Sequence, residues 1–242
     1  MTGRGGREAH GPFAWVGADR WGGCGSTGFR LREDFAADLE GIAAEVRAAG
    51  GLITSSGGLR PLDAEVTPGR SPVSLHYLGR AIDLCIWSGM QGNDDPYVIV
   101  HDSPTATERI FWRVYCVIAT DLGLHCTLDA RMWQADGKRF TRPRDGSFLD
   151  LTECFEAGGW TRVPARPGGR EHYLSVEWWH LERRDGLEVG RTTFAGELAA
   201  LYPAATIAAS PLAALGDRVW NGRWFAMPLD ATLEPGPPAQ AG

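Results

Sequence analysis

Two short segments of this chain concentrate side chains that hold metals and move protons. The first runs Ser74-Leu75-His76-Tyr77-Leu78-Gly79-Arg80-Ala81-Ile82-Asp83, and the second is Glu177-Trp178-Trp179-His180. A zinc hydrolase needs three protein ligands drawn from imidazole nitrogens and carboxylate oxygens, with the fourth position open to water. It also needs a free carboxylate near that water as general base. His76, Asp83 and His180 can supply the ligands and Glu177 the base, so the expected cofactor is one zinc ion per chain. Each residue also has a plainer reading. His76 and Asp83 could form a hydrogen bond that steadies a loop, and Glu177 could be a strand carboxylate facing water. Ser74, a candidate substrate contact, could instead cap the loop by bonding to backbone.

The surrounding pattern says what must position these groups. Residues 81–87 read as a strand with Ile82, Leu84 and Ile86 on one face and Ala81, Asp83, Cys85 and Trp87 on the other. A carboxylate in the middle of such a strand is costly to bury unless it is paired or binds a metal. Gly79 permits the turn that folds His76 toward Asp83, and small Ala81 leaves room for a substrate. Residues 173–181 read as the last convincing strand. A regular strand would point Glu177 and His180 to opposite faces, so a bulge or strand end is expected near Trp178.

A helix is expected over residues 32–49, where Phe35, Leu39, Ile42, Ala43 and Val46 form one apolar stripe and Gly50-Gly51 stops it. Residues 52–55 read as a strand entering a loop that carries Arg60. A second helix is expected over 107–122, with Ile110, Phe111, Val114, Ile118 and Leu122 on its buried side, then a strand over 124–128. Residues 129–170 read as a long functional loop, and 193–201 as a short helix. This order predicts an α+β domain with helices on one face of a mostly antiparallel sheet. Its expected bounds are residues 32–202, preceded by an irregular arm over 1–31 and followed by an extension over 203–242 with a disordered Pro/Gly tail.

Composition narrows the function classes. The chain has 242 residues, 43% hydrophobic and 22% charged, with a net charge of −6. Collagen-like, disordered and coiled-coil classes are excluded. A negative chain is a poor nucleic-acid binder, because that affinity comes from Lys and Arg on phosphates. No apolar stretch approaches the ~18 residues of a transmembrane helix, and the start lacks the apolar core of a signal peptide. Five cysteines, Cys24, Cys85, Cys116, Cys126 and Cys154, form an odd set with no C-x-x-C pair. Reduced thiols in a cytoplasmic protein, with neither a membrane nor a nucleic-acid partner, are therefore expected.

The pattern S-x-H-x-x-G-x-A-x-D followed far downstream by E-x-x-H resembles the zinc D-Ala-D-Ala peptidases of the LAS group, which includes lysostaphin-type enzymes and the hedgehog signalling domain. It is similar in particular to the vancomycin-resistance dipeptidases and carboxypeptidases, where E-W-W-H or E-P-W-H is typical. The helix from Phe35 and the segment ending in Ser56-Gly57-Gly58-Leu59-Arg60 resemble that family's helix, strand and S-G-Y-R turn, with Leu59 in place of the tyrosine. The likeness spans roughly residues 32–185. It implies a LAS-type fold, a small peptide substrate, and an oxyanion-stabilising role for Arg60, whose forked donors stay charged at every working pH. Two other readings remain open: a metal-dependent tailoring enzyme that modifies a peptide-derived metabolite without hydrolysis, and a hedgehog-like binding module without catalysis.

Overall fold

The computed structural model describes residues 12–67, 73–103, 109–119, 123–134, 138–167, 172–188 and 191–215. It is an α+β fold in which, among the described residues, every pairing between named strands is antiparallel. Instead of one sheet, the described residues form three small ones. Strands β1 (Phe13–Gly17) and β2 (Gly28–Arg32) form a hairpin. Strands β3 (Ala81–Asp83), β8 (Trp160–Arg162) and β9 (His180–Arg183) form a second sheet in the order β3-β9-β8. The third sheet has the order β4-β5-β7-β6, built from β4 (Tyr97–His101), β5 (Trp112–Val117), β6 (Leu124–Trp133) and β7 (Arg139–Asp150).

Helix α1 (Glu33–Ala48) buries the expected stripe of Phe35, Leu39, Ile42, Ala43 and Val46. Its ends suit the helix dipole, with Glu33 and Asp34 in the first turn and Arg47 in the last. The stripe joins the main core, which also takes in Phe29, Leu31, Trp160, Trp178 and Trp179. A smaller core packs Leu75, Tyr77 and Leu78 against Phe194 and Leu198 of α3 (Phe194–Leu201) and against Leu212. Two short helices complete the fold, α2 (Leu151–Ala157) and α4 (Ala204–Ala208). No helix among the described residues is long and apolar enough to cross a membrane.

Several expectations are corrected. Within the span 107–122 expected to be a helix, residues 112–117 form strand β5, in which Trp112, Val114 and Cys116 are buried and the residues between them half-buried. Aromatic and β-branched residues alternating with period two outweigh the fortuitous helical spacing of Ile110, Phe111, Val114 and Ile118. The loop expected over 129–170 is mostly the long β6–β7 hairpin, followed by α2 and β8. Much of that hairpin is exposed on both faces, so it carries no hydrophobic alternation to read. The arm expected to be irregular contains β1 and β2, which pack against α1. Residues 52–55 pair with no strand; Thr54 N–H donates instead to the Tyr97 hydroxyl at 2.9 Å. The expected Pro/Gly tail lies outside the described residues.

The cysteines differ too. Cys24 and Cys85 are joined in a disulfide, while Cys116, Cys126 and Cys154 are free. The expectation of five reduced thiols is therefore overturned, and with it the support those thiols lent to a reducing compartment. An odd count and the absence of C-x-x-C say nothing about pairs brought together over 61 residues of sequence.

Candidate metal centre

Each proposed ligand is delivered by a different local device. Ser74 Oγ accepts a hydrogen bond from His76 N–H at 3.4 Å and starts a 3-10 turn over Leu75–Leu78. Ser74 thus caps the turn that carries His76. Gly79 closes the turn at φ 62°. A side chain there would be strained, and its Cβ would meet the Phe13 ring at 2.8 Å and Arg32 N at 2.9 Å. The apolar residues on either side of His76 are sunk in the smaller core, so the imidazole is aimed by a rigid base.

Asp83 and His180 meet through register. Asp83 ends β3, His180 begins β9, and the two are direct partners across the antiparallel pair. Direct partners share a face with Cβ atoms ~4.5–5.5 Å apart, which brings the carboxylate onto the ring. His180 Nδ1 lies 2.8 Å from Asp83 Oδ1, and His76 Nε2 lies 3.2 Å from Asp83 Oδ2 and 3.2 Å from His180 Nδ1. One ligand atom from each of His76, Asp83 and His180 lies within 4.8 Å of the others.

The other ring nitrogens are occupied. His76 Nδ1 is 2.7 Å from the Gly58 carbonyl, so it carries the proton and leaves Nε2 as the electron-pair donor. His180 Nε2 is 2.9 Å from Glu182 Oε1, and the second oxygen of Glu182 accepts from Arg184 at 2.5 Å. A ligating histidine held from behind by a carboxylate or carbonyl is the usual arrangement in metal sites. Tetrahedral zinc with bonds of ~2.0–2.1 Å places its ligand atoms about 3.3 Å apart. The separations of 2.8–3.2 Å fit that edge once the three atoms relax slightly outward.

The electrostatics agree. Burial alone would raise the Asp83 carboxyl, but the charges and hydrogen bonds of His76 and His180 hold it far below the usual carboxylate range. Burial would lower His180, yet its bonds to Asp83 and Glu182 hold it up at about 10. Burial would likewise raise Glu182, which His180 and Arg184 bring down to about 2. In the metal-free site the positive charge is that of the His180 imidazolium, held between the Asp83 and Glu182 carboxylates.

Glu177 lies in the turn before β9 in the left-handed region at φ 59°, and His180 N–H donates to its carbonyl at 3.2 Å. A non-glycine residue held there is strained. The break that strand periodicity demanded between Glu177 and His180 is thus a turn and a strand start: the strand expected over 173–181 is a 3-10 turn at Tyr173–Ser175 followed by β9. The Glu177 side chain is buried, and its carboxyl is raised by that burial against the lowering effects of His180, Arg166 and His76. Arg166 Nε is ion-paired with Glu177 Oε1.

Arg60 is placed beside the cluster through its backbone, donating N–H to the His76 carbonyl at 3.0 Å. Its guanidinium lies over the Tyr77 ring at 5.2 Å, and Nη1 is buried without a hydrogen-bond partner among the described residues. Cys85 does not offer a thiol near the ligands, because it is in the disulfide. Ala81 does not open space for a substrate, because it is fully buried in the smaller core.

Glu182 and Arg166 escaped the sequence reading. Glu182 had a usable signal, since it stands two residues past a ligand and therefore on its face of the strand. Arg166 had none, because its segment carries no periodicity. Comparison with protein-family models, curated proteins and solved structures finds no match for this chain.

Proposed function

We propose that this protein is a zinc-dependent peptidase or amidase that hydrolyses an amide bond in a small peptide. The observation that carries the reading is the convergence of His76, Asp83 and His180 at ligand separations, with the buried carboxyl of Glu177 under the influence of all three. The resemblance of both motifs to LAS-group D-Ala-D-Ala peptidases supports it. Zinc bound there would polarise a scissile carbonyl and lower the pKa of its water.

The chain's own residues have separable tasks. Asp83 keeps its charge and would offset that of a bound metal. Gly58 and Glu182 hold the two imidazoles in the ligating tautomer. Glu177, with its raised carboxyl, takes a proton from the attacking water and returns it to the leaving amine. Arg166 holds the Glu177 carboxylate in place, and the unsatisfied Nη1 of Arg60 supplies a donor for a substrate oxygen. Ser74 acts through the turn it caps.

The test is zinc stoichiometry combined with mass spectrometry of products from D-Ala-D-Ala and its N-acyl tripeptide. Addition of one water per amide cleaved, dependent on zinc, is expected. A zinc-loaded protein that leaves every peptide intact, or changes its mass otherwise, overturns the proposal.

A further inference from the structure

A groove of about 490 Å³ opens beside the metal cluster, lined by Trp15, Trp87, Ser26, Thr27, Ser56 and the glycines at 23 and 25. That size falls within the range of small-molecule sites. Its two indoles are conspicuously exposed, Trp15 at 56% and Trp87 at 44%. Each is nevertheless held. A Cβ on Gly28 would lie 2.7 Å from the Trp15 ring, so that indole rests directly on backbone. Trp87 stacks on Tyr173 at 5.4 Å and 9°, and the Tyr173 hydroxyl is fastened to the carbonyls of Ile86 and Gly89. Rigid aromatic faces lose little entropy when a ligand settles on them.

Among the described residues, no charged side chain lines the groove. Its polar equipment is hydroxyl groups. Ser56 Oγ accepts from Ile86 N–H at 3.0 Å, which leaves its own proton to donate. An anionic or cationic ligand would find no counter-charge here, and a purely apolar one would leave the hydroxyls unpaired. A neutral pyranose suits both features, because its C–H face packs on an indole while its hydroxyls bond at the edge.

The groove also adjoins the ligands. Ser56 N–H donates to the Asp83 carbonyl at 2.8 Å, Gly57 bridges to Asp83, and the Gly58 carbonyl holds His76. The strip 56–58 is thus at once a groove wall and a support of the metal cluster. We propose that the groove binds a neutral saccharide and, resting on the metallopeptidase reading, that the peptide substrate carries a sugar.

Calorimetric titration of the full-length zinc-loaded protein with N,N′-diacetylchitobiose tests this, with maltose and a proline-rich peptide as parallel probes. Saturable binding of a neutral disaccharide is expected, weakened at least tenfold in Trp15→Ala and in Trp87→Ala, with zinc content and circular dichroism unchanged. If Trp87→Ala does not fold, Trp15→Ala and Thr27→Val, both at exposed positions, carry the comparison. Absence of binding to either disaccharide, undiminished binding in the variants, or selective uptake of the proline-rich peptide overturns the groove assignment. Disaccharide binding without hydrolysis of any peptide would uphold the groove and overturn only the sugar-bearing peptide substrate.

Discussion

At the scale of the residue, Glu177 and Glu182 are two buried carboxylates a few positions apart with opposite environments. Burial dominates Glu177 and raises it, which favours a group that carries a proton through a reaction. His180 and Arg184 dominate Glu182 and bring it down to about 2, which keeps it a permanent acceptor behind a ligand. The two glutamine variants should therefore separate. Glu177→Gln is expected to retain zinc and lose turnover by ~10²–10⁴-fold or more, since in the proposed mechanism one residue serves both proton transfers. Metal analysis beside steady-state kinetics checks it, and near wild-type turnover in a zinc-replete variant would refute the assignment. Glu182→Gln should instead weaken zinc binding by ~10–100-fold, the usual cost of removing such a support. Competition with a chromophoric chelator measures this, and unchanged affinity would show that the His180 ring needs no carboxylate behind it.

At the scale of the element, the site depends on a short antiparallel pairing and on a cross-link that ties it to the hairpin region. Slipping β3 by one residue against β9 would turn Asp83 away from His180. The Cys24–Cys85 disulfide joins the loop after β1 to the segment just past Asp83. Closing a loop of 61 residues is worth roughly 4 kcal/mol in the chain-entropy account. Cys24→Ser should accordingly lower the unfolding free energy by an amount of that order, read as a lower denaturation midpoint. An unchanged midpoint in oxidised protein would mean that the cross-link contributes nothing to the fold.

At the scale of the whole molecule, metal binding at the candidate site would be linked to folding, because His76, Asp83 and His180 come from a turn and two strands that only the folded chain brings together. Zinc at ~1,000 times its dissociation constant should stabilise the protein by ~4 kcal/mol, and this increment should vanish in Asp83→Ala. The linkage has a pH signature. In the metal-free protein His180 is held protonated up to about 10, whereas a ligand must be neutral. Zinc binding at pH 7 should therefore release a proton, and apparent affinity should rise with pH up to about 10. Calorimetry in buffers of different ionisation enthalpy reads the proton directly, and a buffer-independent enthalpy would contradict it. Without metal the sign is the reverse. The raised His180 contributes stability that is complete below its ordinary 6.5 and is lost as pH rises through about 10.

What the amino-acid sequence determined by itself is local and periodic. The apolar stripe of α1, the caps and turn around Ser74, His76 and Gly79, and the need for a break between Glu177 and His180 all follow from spacing within a few residues, because side-chain direction repeats every 3.6 or two positions. The grouping of His76, Asp83 and His180 was also legible, in the spacing S-x-H-x-x-G-x-A-x-D and E-x-x-H that carries the resemblance to a metal-site pattern. Tertiary structure decided whatever depended on distant partners. It made residues 112–117 a strand by giving them β4 and β7 to pair with, joined Cys24 to Cys85, and brought Arg166 to Glu177. None of these can be read from spacing, because the groups meet only when a particular register and a particular packing of remote segments have already formed, and the free energy that selects that packing belongs to the folded chain as a whole.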